Sequence, residues 1–514
     1  MLQNFHDKAF IANGLYRGFS LGFDGVEGAT QCVNSPSFIL NYKAGVEKVM
    51  NEVSLGRIAG PFSFVPLPLF KCSPLAVREK PNTNKIRLLH NLSAPHDERS
   101  VNSNIPDSAA TVSYQSIDDV LELFRQERIQ FLAKSDIAEA YRLIPLSPAD
   151  YHLTGFKIGE EYFYDRCLPM GARSACSIFD RFSSGLKHAL ITRHAVKRVV
   201  KVLDDFLFLA PSMKECGEAL ASFISLAEFT GVPLAPGKTV GPVKSLIFLG
   251  FELDCSGYTI GIPEGKVKKY SAQARELVHA ESTTLRELQR MIGKLHSCVK
   301  VVKTGRCFLR NLINATCGAQ IPGRKIKITV DMKEDLIVWM KFLSSANLKA
   351  ISSPIDPAPL PPLHFYSDSS GHGYGGTFGD QFFQGRFSAE WAELDINVKE
   401  LYPMCILLSI FGPKLRGRRI IFHSDNMAAV ICLNKWTSRN KRMMAILRKM
   451  VQVALKYDLD CAAVHIRGAE NFVPDALSRF QASADFLARA GLRAKPVHVP
   501  FLLLSANWKL LKPA

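Results

Sequence analysis

Residues 199–210 read VVKVLDDFLFLA. Two adjacent carboxylates, Asp204 and Asp205, interrupt an otherwise almost wholly apolar run. Its two flanks read as buried strands, so the pair falls at a tight turn between them. Adjacent carboxylates repel each other and are costly to bury unpaired. A bound divalent cation removes both objections; an ordinary solvated Asp-Asp turn is the plainer alternative. A third carboxylate, Asp136, ends the strand-like opening of FLAKSDIAEAY (131–141), 68 residues before Asp204. Hard oxygen ligands of this kind suit Mg²⁺, which keeps waters and binds substrate phosphates. Two such ions activate one oxygen and stabilise the leaving one in phosphoryl transfer.

A second set of carboxylates follows later in the chain. Asp368 ends a strand in FYSDSSGHGYGG, and Glu400 lies early in a helix in NVKELYPM. Asp425 ends a strand in FHSDNMAAV, and Asp475 sits at a helix start in ENFVPDALSR. Each alone has an ordinary explanation as a cap, a helix-surface acid or a turn residue.

The elements that must position these residues form several domains. A chain of 514 residues suggests three or four. Its 47% hydrophobic and 22% charged residues exclude a disordered chain. The excess of 64 Lys and Arg over 47 Asp and Glu gives a net charge of +17. Such a surplus on a folded protein points to a polyanion, most often nucleic acid, although a basic enzyme of another kind also fits. Twelve cysteines without a C-x-x-C pair argue against a zinc ribbon or a disulfide scaffold, and fit reduced thiols in an intracellular protein, cytoplasmic or nuclear. No apolar core of signal-peptide length opens the chain, and no run of 18 apolar residues implies a membrane span.

Five prolines in SPIDPAPLPPL (353–363) mark a stiff spacer. Residues 1–60 read as mainly helical, with Val46, Val49, Met50 and Val53 at helical spacing. Strands and helices alternate over 61–255, and 265–350 is helical. There Thr284-x-x-Glu287 is a capping box ahead of Leu285, Leu288, Ile292 and Leu295. After the spacer the order is β-β-(β)-α-β-α-α-β-α, an α/β domain able to fold alone over 364–480.

The string SDIAEAY followed by VLDD resembles the palm of a reverse transcriptase. SPLAVREKPNTNKIRLLHNLS (73–93) resembles the fingers hairpin, and LPMGARSACSIFDR (168–181) the loop and helix behind the nucleotide. GVPLAPGKTVGP (231–242) and IFLGFELD (247–254) resemble the next motif and the primer-gripping hairpin. Met170 and Leu203 depart from the retroviral pattern. The resemblance implies a right-hand polymerase with catalytic, metal-holding Asp136, Asp204 and Asp205. It puts Lys80 and Arg87 on the incoming triphosphate, Gly171 at the turn behind it, and Lys238 as candidate proton donor. Tyr141 is then the bulky residue beneath the sugar that leaves no room for a 2′-hydroxyl.

The later carboxylates, with HIRGAENFVPDALSR (465–479), resemble ribonuclease H of retrotransposons. That implies Asp368, Glu400, Asp425 and Asp475 as catalytic ligands of two Mg²⁺ ions, with Mn²⁺ as an alternative. His465 could aid product release or simply end a strand. The basic stretch TSRNKRMMAILRKM (437–450) fits either a hybrid-tracking handle or a solvated helix face, and KRVVK (197–201) either a structural strand or a template contact.

The implied fold class is therefore multidomain α/β, a polymerase of fingers, palm and thumb followed by a ribonuclease H-like domain. The expected divisions are a helical extension (1–60), fingers and palm (61–255), thumb or connection (256–352), spacer (353–363), nuclease (364–480) and tail (481–514). The implied partners are an RNA template, a DNA primer, the RNA–DNA hybrid and dNTPs. Segment GLYRGFSLGF (14–23) resembles DIRS-like elements, related to gypsy-like ones, in which a tyrosine recombinase is encoded separately. A decayed copy that binds nucleic acid without catalysis is the alternative, but all seven carboxylates are in place.

Overall fold

The computed structural model describes residues 2–26, 28–79, 86–344, 349–350, 360–493 and 495–507. Lys80 and residues 353–359 of the spacer lie outside the described residues. The chain divides into two compact units, one comprising residues up to Thr259 and the other built from Ile260 onward.

The main elements of the first unit are α1 (Lys8–Arg17), α2 (Tyr42–Ser54), β1 (Ile58–Phe62), β2 (Leu75–Glu79), β3 (Ile86–His90), α3 (Ile117–Gln126), β4 (Phe131–Asp136), β5 (Gly155–Ile158), β6 (Glu161–Asp165), α4 (Ala175–Arg193), β7 (Val199–Val202), β8 (Asp205–Ala210), α5 (Met213–Thr230) and β9 (Val240–Val243). Strands β9–β4–β8–β7, in that order, form an antiparallel sheet. The apolar residues of β8 account for its position inside the sheet: Phe206 and Phe208 both pack on Phe223 of α5, the first stacked at 4.5 Å.

The first sixty residues are less independent than their helical periodicity implies. Val49 is fully buried, whereas Met50 faces solvent. Residues 58–62 form β1, which pairs with β6 and stacks Phe62 on Tyr164 at 5.8 Å. Helix α1 lies on α4, where Asp7 pairs with Arg181 and the Arg181 guanidinium sits 3.3 Å from the Phe10 ring centre. The glycine-rich segment after α1 is stitched in by its backbone. Phe19 N donates to Pro145 O at 2.8 Å, and Ser147 N donates to Phe19 O at 2.9 Å.

One buried ionic knot fastens this unit. Asp165 Oδ1 accepts from Arg142 at 2.7 Å, and Asp165 Oδ2 lies 3.0 Å from His90 Nδ1. Arg142 Nε also donates to Glu52 at 3.0 Å, so strand β6, helix α2 and the fingers-like hairpin meet at one point. The two basic residues of 197–201 with defined partners are structural. Arg198 pairs with Glu127 and Glu215, and buried Lys201 donates to Asp180, Ser183 and Ser184.

In the second unit, α6 (Glu264–His279), α7 (Leu285–Cys298) and α8 (Val330–Ser344) come first. The capping box forms at α7: Glu287 N donates to Thr284 Oγ1 at 3.2 Å, and Thr284 N to Glu287 at 3.1 Å. Leu285, Leu288 and Leu295 are buried, but Met291 faces the core more fully than Ile292. The α/β part holds β10 (Leu363–Ser369), β11 (Gly373–Phe378), β12 (Gln381–Arg386), α9 (Ile396–Phe411), β13 (Arg419–Ser424), α10 (Met427–Lys435), α11 (Lys441–Tyr457), β14 (Asp460–His465) and α12 (Phe472–Ser478). Its sheet runs β12–β11–β10–β13–β14, antiparallel on one side of β10 and parallel on the other.

This α/β part does not end at its own helices. Asp335 of α8 is fully buried and accepts from Arg448 of α11 at 2.6 Å. Cys307 Sγ donates to Trp436 O at 3.0 Å. The tail covers the β12 edge, with Arg493 N donating to Asp380 O at 2.9 Å and Val497 N to Phe382 O at 2.7 Å. Farther along, the Tyr402 hydroxyl donates to Leu503 O at 2.5 Å. A segment cut at 480 would bare a sheet edge, which is a pairing hazard, and would uncover Leu477 and Phe382 beneath Leu487. All twelve cysteines are free thiols; seven are buried and Cys317 is exposed. Among the described residues no helix is long and apolar enough to cross a membrane.

Asp165→Asn is expected to lower unfolding stability by about 1–3 kcal/mol at pH 7, because it removes one of the two carboxylates that pair with buried Arg142 and leaves only Glu52. Burial alone would raise Asp165, yet Arg142 and His90 hold it below the ordinary aspartate value. Its contribution is therefore complete above pH ~4 and lost as pH falls toward the depressed folded value. Urea unfolding at pH 7 and at pH 3 checks this. The gap between wild type and mutant should shrink on acidification.

Candidate active sites

In the first unit, Asp136 ends β4 directly opposite Asp205, the first residue of β8. Val202, the last residue of β7, also faces Asp205, so Leu203 and Asp204 alone make the turn. Leu203 has φ +55°, a conformation that favours glycine and costs a leucine roughly 1–3 kcal/mol. Its neighbours hold the turn there, since Ile137 N donates to Asp204 O at 3.0 Å. Strand register thus brings three carboxylates together.

The segment 231–242 is tied to the same strand end. Ala235 N donates to Asp136 O at 2.7 Å and Ala138 N donates to Pro233 O at 2.8 Å. This delivers Lys238, whose Nζ lies 2.5 Å from Asp136 Oδ2. Burial and the neighbouring Asp136 and Asp204 push Asp205 up to about 6. Burial, then Asp136, also raises Asp204, against the fields of Lys238 and Arg87. Arg87 is exposed on β3, paired in register with Arg78. The cluster holds more negative than positive charge, which a cation would relieve.

Two other expected residues lie around this cluster. Tyr141 is half-buried, edge-on to Phe179 at 5.6 Å, with its hydroxyl 3.2 Å from Cys176 Sγ. Gly171 packs against β3 so closely that a Cβ would fall 1.9 Å from His90 O. Only glycine fits there, and Asn102 donates to the Gly171 carbonyl at 2.8 Å.

In the second unit, Asp368 on β10, Glu400 on α9 and Asp425 just beyond β13 bring carboxylate oxygens within 4.8 Å of one another. In the first unit Lys238 occupies one face of Asp136. Burial, with Asp425 and Asp475 nearby, pushes Asp368 up to about 6, while Ser478 opposes the shift. Burial, then Asp368 and Asp425, raises Glu400 well above its ordinary value. Glu400 Oε2 is buried without a hydrogen-bond partner. Mutual repulsion and an unpartnered buried oxygen are the signs of a site suited to a divalent cation. Asp475 stands outside the triad, with Oδ1 accepting from Arg479 at 2.7 Å.

Several supporting residues carry no signal in isolation. Ser478 donates to Asp368 Oδ2 at 2.6 Å, and Asn471, fully buried, donates to Ser367 O at 3.1 Å. Ser478 follows Asp475 by one helical turn, a spacing that could have singled it out. His465 ends β14 with Nε2 3.0 Å from the Asp425 carbonyl, a contact that fixes the strand end. Of the basic stretch 437–450, Arg448 is taken by Asp335, while Arg439, Lys441, Arg442 and Lys449 are exposed.

A carboxylate near 6 in the folded chain and near 4 unfolded binds more protons when folded between those pH values. Metal-free stability should therefore fall as pH rises from about 4 to 6. Asp368→Asn should remove part of that loss and raise metal-free stability at pH 7.5 by about 1–3 kcal/mol. Millimolar Mg²⁺ should raise the wild-type melting temperature by more than it raises the mutant's. Thermal melts with and without Mg²⁺ make the comparison.

A family model described as reverse transcriptase (RNA-dependent DNA polymerase) matches residues 79–253. Protein P of duck hepatitis B virus is 24% identical over 169 residues, covering 33% of this chain and 21% of that protein. The Gag-Pro-Pol polyprotein of human T-cell leukemia virus 3 is 25% identical over 281 residues, 53% of this chain and 18% of the polyprotein. The chain thus spans about a fifth of the length of these curated relatives. Among solved structures, the foamy viral protease-reverse transcriptase dRH in complex with double-stranded DNA aligns at a TM-score of 0.52 and 15% identity. That alignment covers 86% of this chain and 73% of that one. The same viral protein in complex with an RNA/DNA hybrid aligns at 0.51 and 14%, over 86% and 56%. At such identity the likeness is one of fold, multidomain α/β. Residues 79–253, which contain Asp136 and the Asp204–Asp205 turn, form a reverse transcriptase domain.

Proposed function

We propose that this chain is the reverse transcriptase–ribonuclease H of a retrotransposon, DIRS-like or of a related gypsy-like kind. It would extend a DNA primer on an RNA or DNA template with dNTPs and cut the RNA strand of the resulting hybrid. A separately encoded tyrosine recombinase would complete such an element. The observation that carries the reading is the register of Asp136 against Asp205, with Asp204 at the turn, inside the reverse transcriptase domain.

Mg²⁺, or Mn²⁺ in its place, would be held by Asp136, Asp204 and Asp205 in one site and by Asp368, Glu400, Asp425 and Asp475 in the other. When bound, it supplies stabilisation of negative charge on the phosphate oxygens. The remaining work falls to side chains. Arg87, with Lys80, binds the triphosphate. Tyr141 fills the space beneath the sugar and excludes a 2′-hydroxyl. Lys238 keeps a proton on Nζ, raised by its bond to Asp136, and can release it to a leaving oxygen. Ser478 and Asn471 hold Asp368 and its strand in place. Exposed Arg439, Lys441, Arg442 and Lys449 meet hybrid phosphates, whose counterion release makes binding salt-dependent.

Crossed assays test the two sites. Asp136→Asn or Asp204→Asn should reduce primer extension by about 10³-fold or more and spare hybrid cleavage. Asp368→Asn should do the reverse and retain hybrid binding. Near-normal extension by both palm mutants would sink the polymerase assignment, and RNA release at the wild-type rate by Asp368→Asn would sink the nuclease one.

A further inference from the structure

The contact that sets the angle of Tyr141 lies outside the carboxylate cluster. Cys176 occupies the first turn of α4, and its sulfur shares a hydrogen with the Tyr141 hydroxyl at 3.2 Å. One turn later, Phe179 meets the edge of the same ring at 5.6 Å. The Tyr114 phenol lies near the same thiol. Burial, then the bond to Cys176, pushes the Tyr141 phenol above its ordinary value, so the ring carries its proton throughout the working pH range.

The thiol itself has little freedom. The loop ahead of α4 is anchored by Asn102, which donates to Gly171 O and accepts from Arg173 N, both at 2.8 Å. Arg173 in turn donates to Ile105 O at 2.8 Å and pairs with Asp107. Any swing of the Tyr141 ring away from the sugar must break its bond to a sulfur that does not follow.

We infer that Cys176 is a positioning residue for sugar discrimination: its thiol holds the Tyr141 ring at the angle that excludes a 2′-hydroxyl. The inference rests on the reading of Tyr141 as the sugar gate. Without the sulfur, the ring keeps its bulk but gains a path to rotate, so ribonucleotides are admitted without loss of the catalytic groups.

Single-nucleotide primer extension by the full chain, with kcat and KM measured for a dNTP and the matching rNTP, tests it. Cys176→Ala should raise the rNTP-to-dNTP ratio of kcat/KM by about 2–10-fold, the value of one hydrogen bond, chiefly through a lower KM for the rNTP. Tyr141→Phe should give a similar rise, and the double mutant no more than either single change. Cys176→Ser, which keeps a hydrogen-bonding group, should return the ratio toward wild type. If Tyr141→Ala raises the ratio but Cys176→Ala and Tyr141→Phe do not, the thiol plays no such part while the gate stands. If Tyr141→Ala leaves the ratio unchanged, the gate and the inference fall together. Should Cys176→Ala not fold, the contrast between Tyr141→Phe and Cys176→Ser decides in the same way.

Discussion

Like charges held close together out of water set the terms for both halves of this protein. Carboxylates so placed raise one another's proton affinity and weaken the metal-free fold. They persist only where the surrounding backbone leaves no alternative. In the first unit that backbone is a sheet: Asp136 and Asp205 face each other because β4 and β8 pair from Phe131–Ala210 to the strand end without a slip. A one-residue shift would turn either carboxylate to the opposite face. The apolar residues of β8, packed on Phe223, fix the register and so fix the chemistry.

Stability is supplied at a distance from these clusters. The Asp165–Arg142–His90 knot joins strand β6 to the hairpin and to α2, and there opposite charges meet with good geometry. In the second unit Asp335 and Arg448 make a comparable bond, but burial outweighs the guanidinium and pushes Asp335 up to about 6. That pair joins α8 to α11 while leaving Asp335 Oδ2 unpartnered. It adds attachment between α8 and α11 at some cost in desolvation.

What the sequence revealed follows the range of the interactions. The acidic turn, the Thr284–Glu287 cap and the strand order after the spacer depend on neighbours a few residues apart, and local patterns report them well. Contacts between distant residues leave no such pattern. Lys238 and Asp136 are separated by 102 positions, and Arg448 and Asp335 by 113. From composition alone Arg448 is one cation of a basic stretch; in the fold it is bound internally. Lys201, which the sequence leaves open as structural or a template contact, is buried with four acceptors. The tail carried no motif at all, because its task is to pair with the backbone edge of β12, and backbone pairing is almost indifferent to side-chain identity.

The two clusters answer charge repulsion differently, and the difference bears on how each depends on a cation. Beside Asp136 the chain places its own ammonium, Lys238, on an exposed side chain that can move away. The field of Arg87 also reaches Asp204. The polymerase-like site is therefore partly neutralised before any ligand arrives, and Asp204 and Asp205 are half-buried while Asp136 is buried. In the second unit Arg479, whose field reaches Asp368, is engaged by Asp475. Glu400 sits deeper, with an unpartnered oxygen and two carboxylates around it. With less compensation from the chain, a larger share of the charge there must be balanced from outside. An internal lysine lets a site stand open between substrates; a deep glutamate makes the second cluster lean more heavily on the ion it would hold.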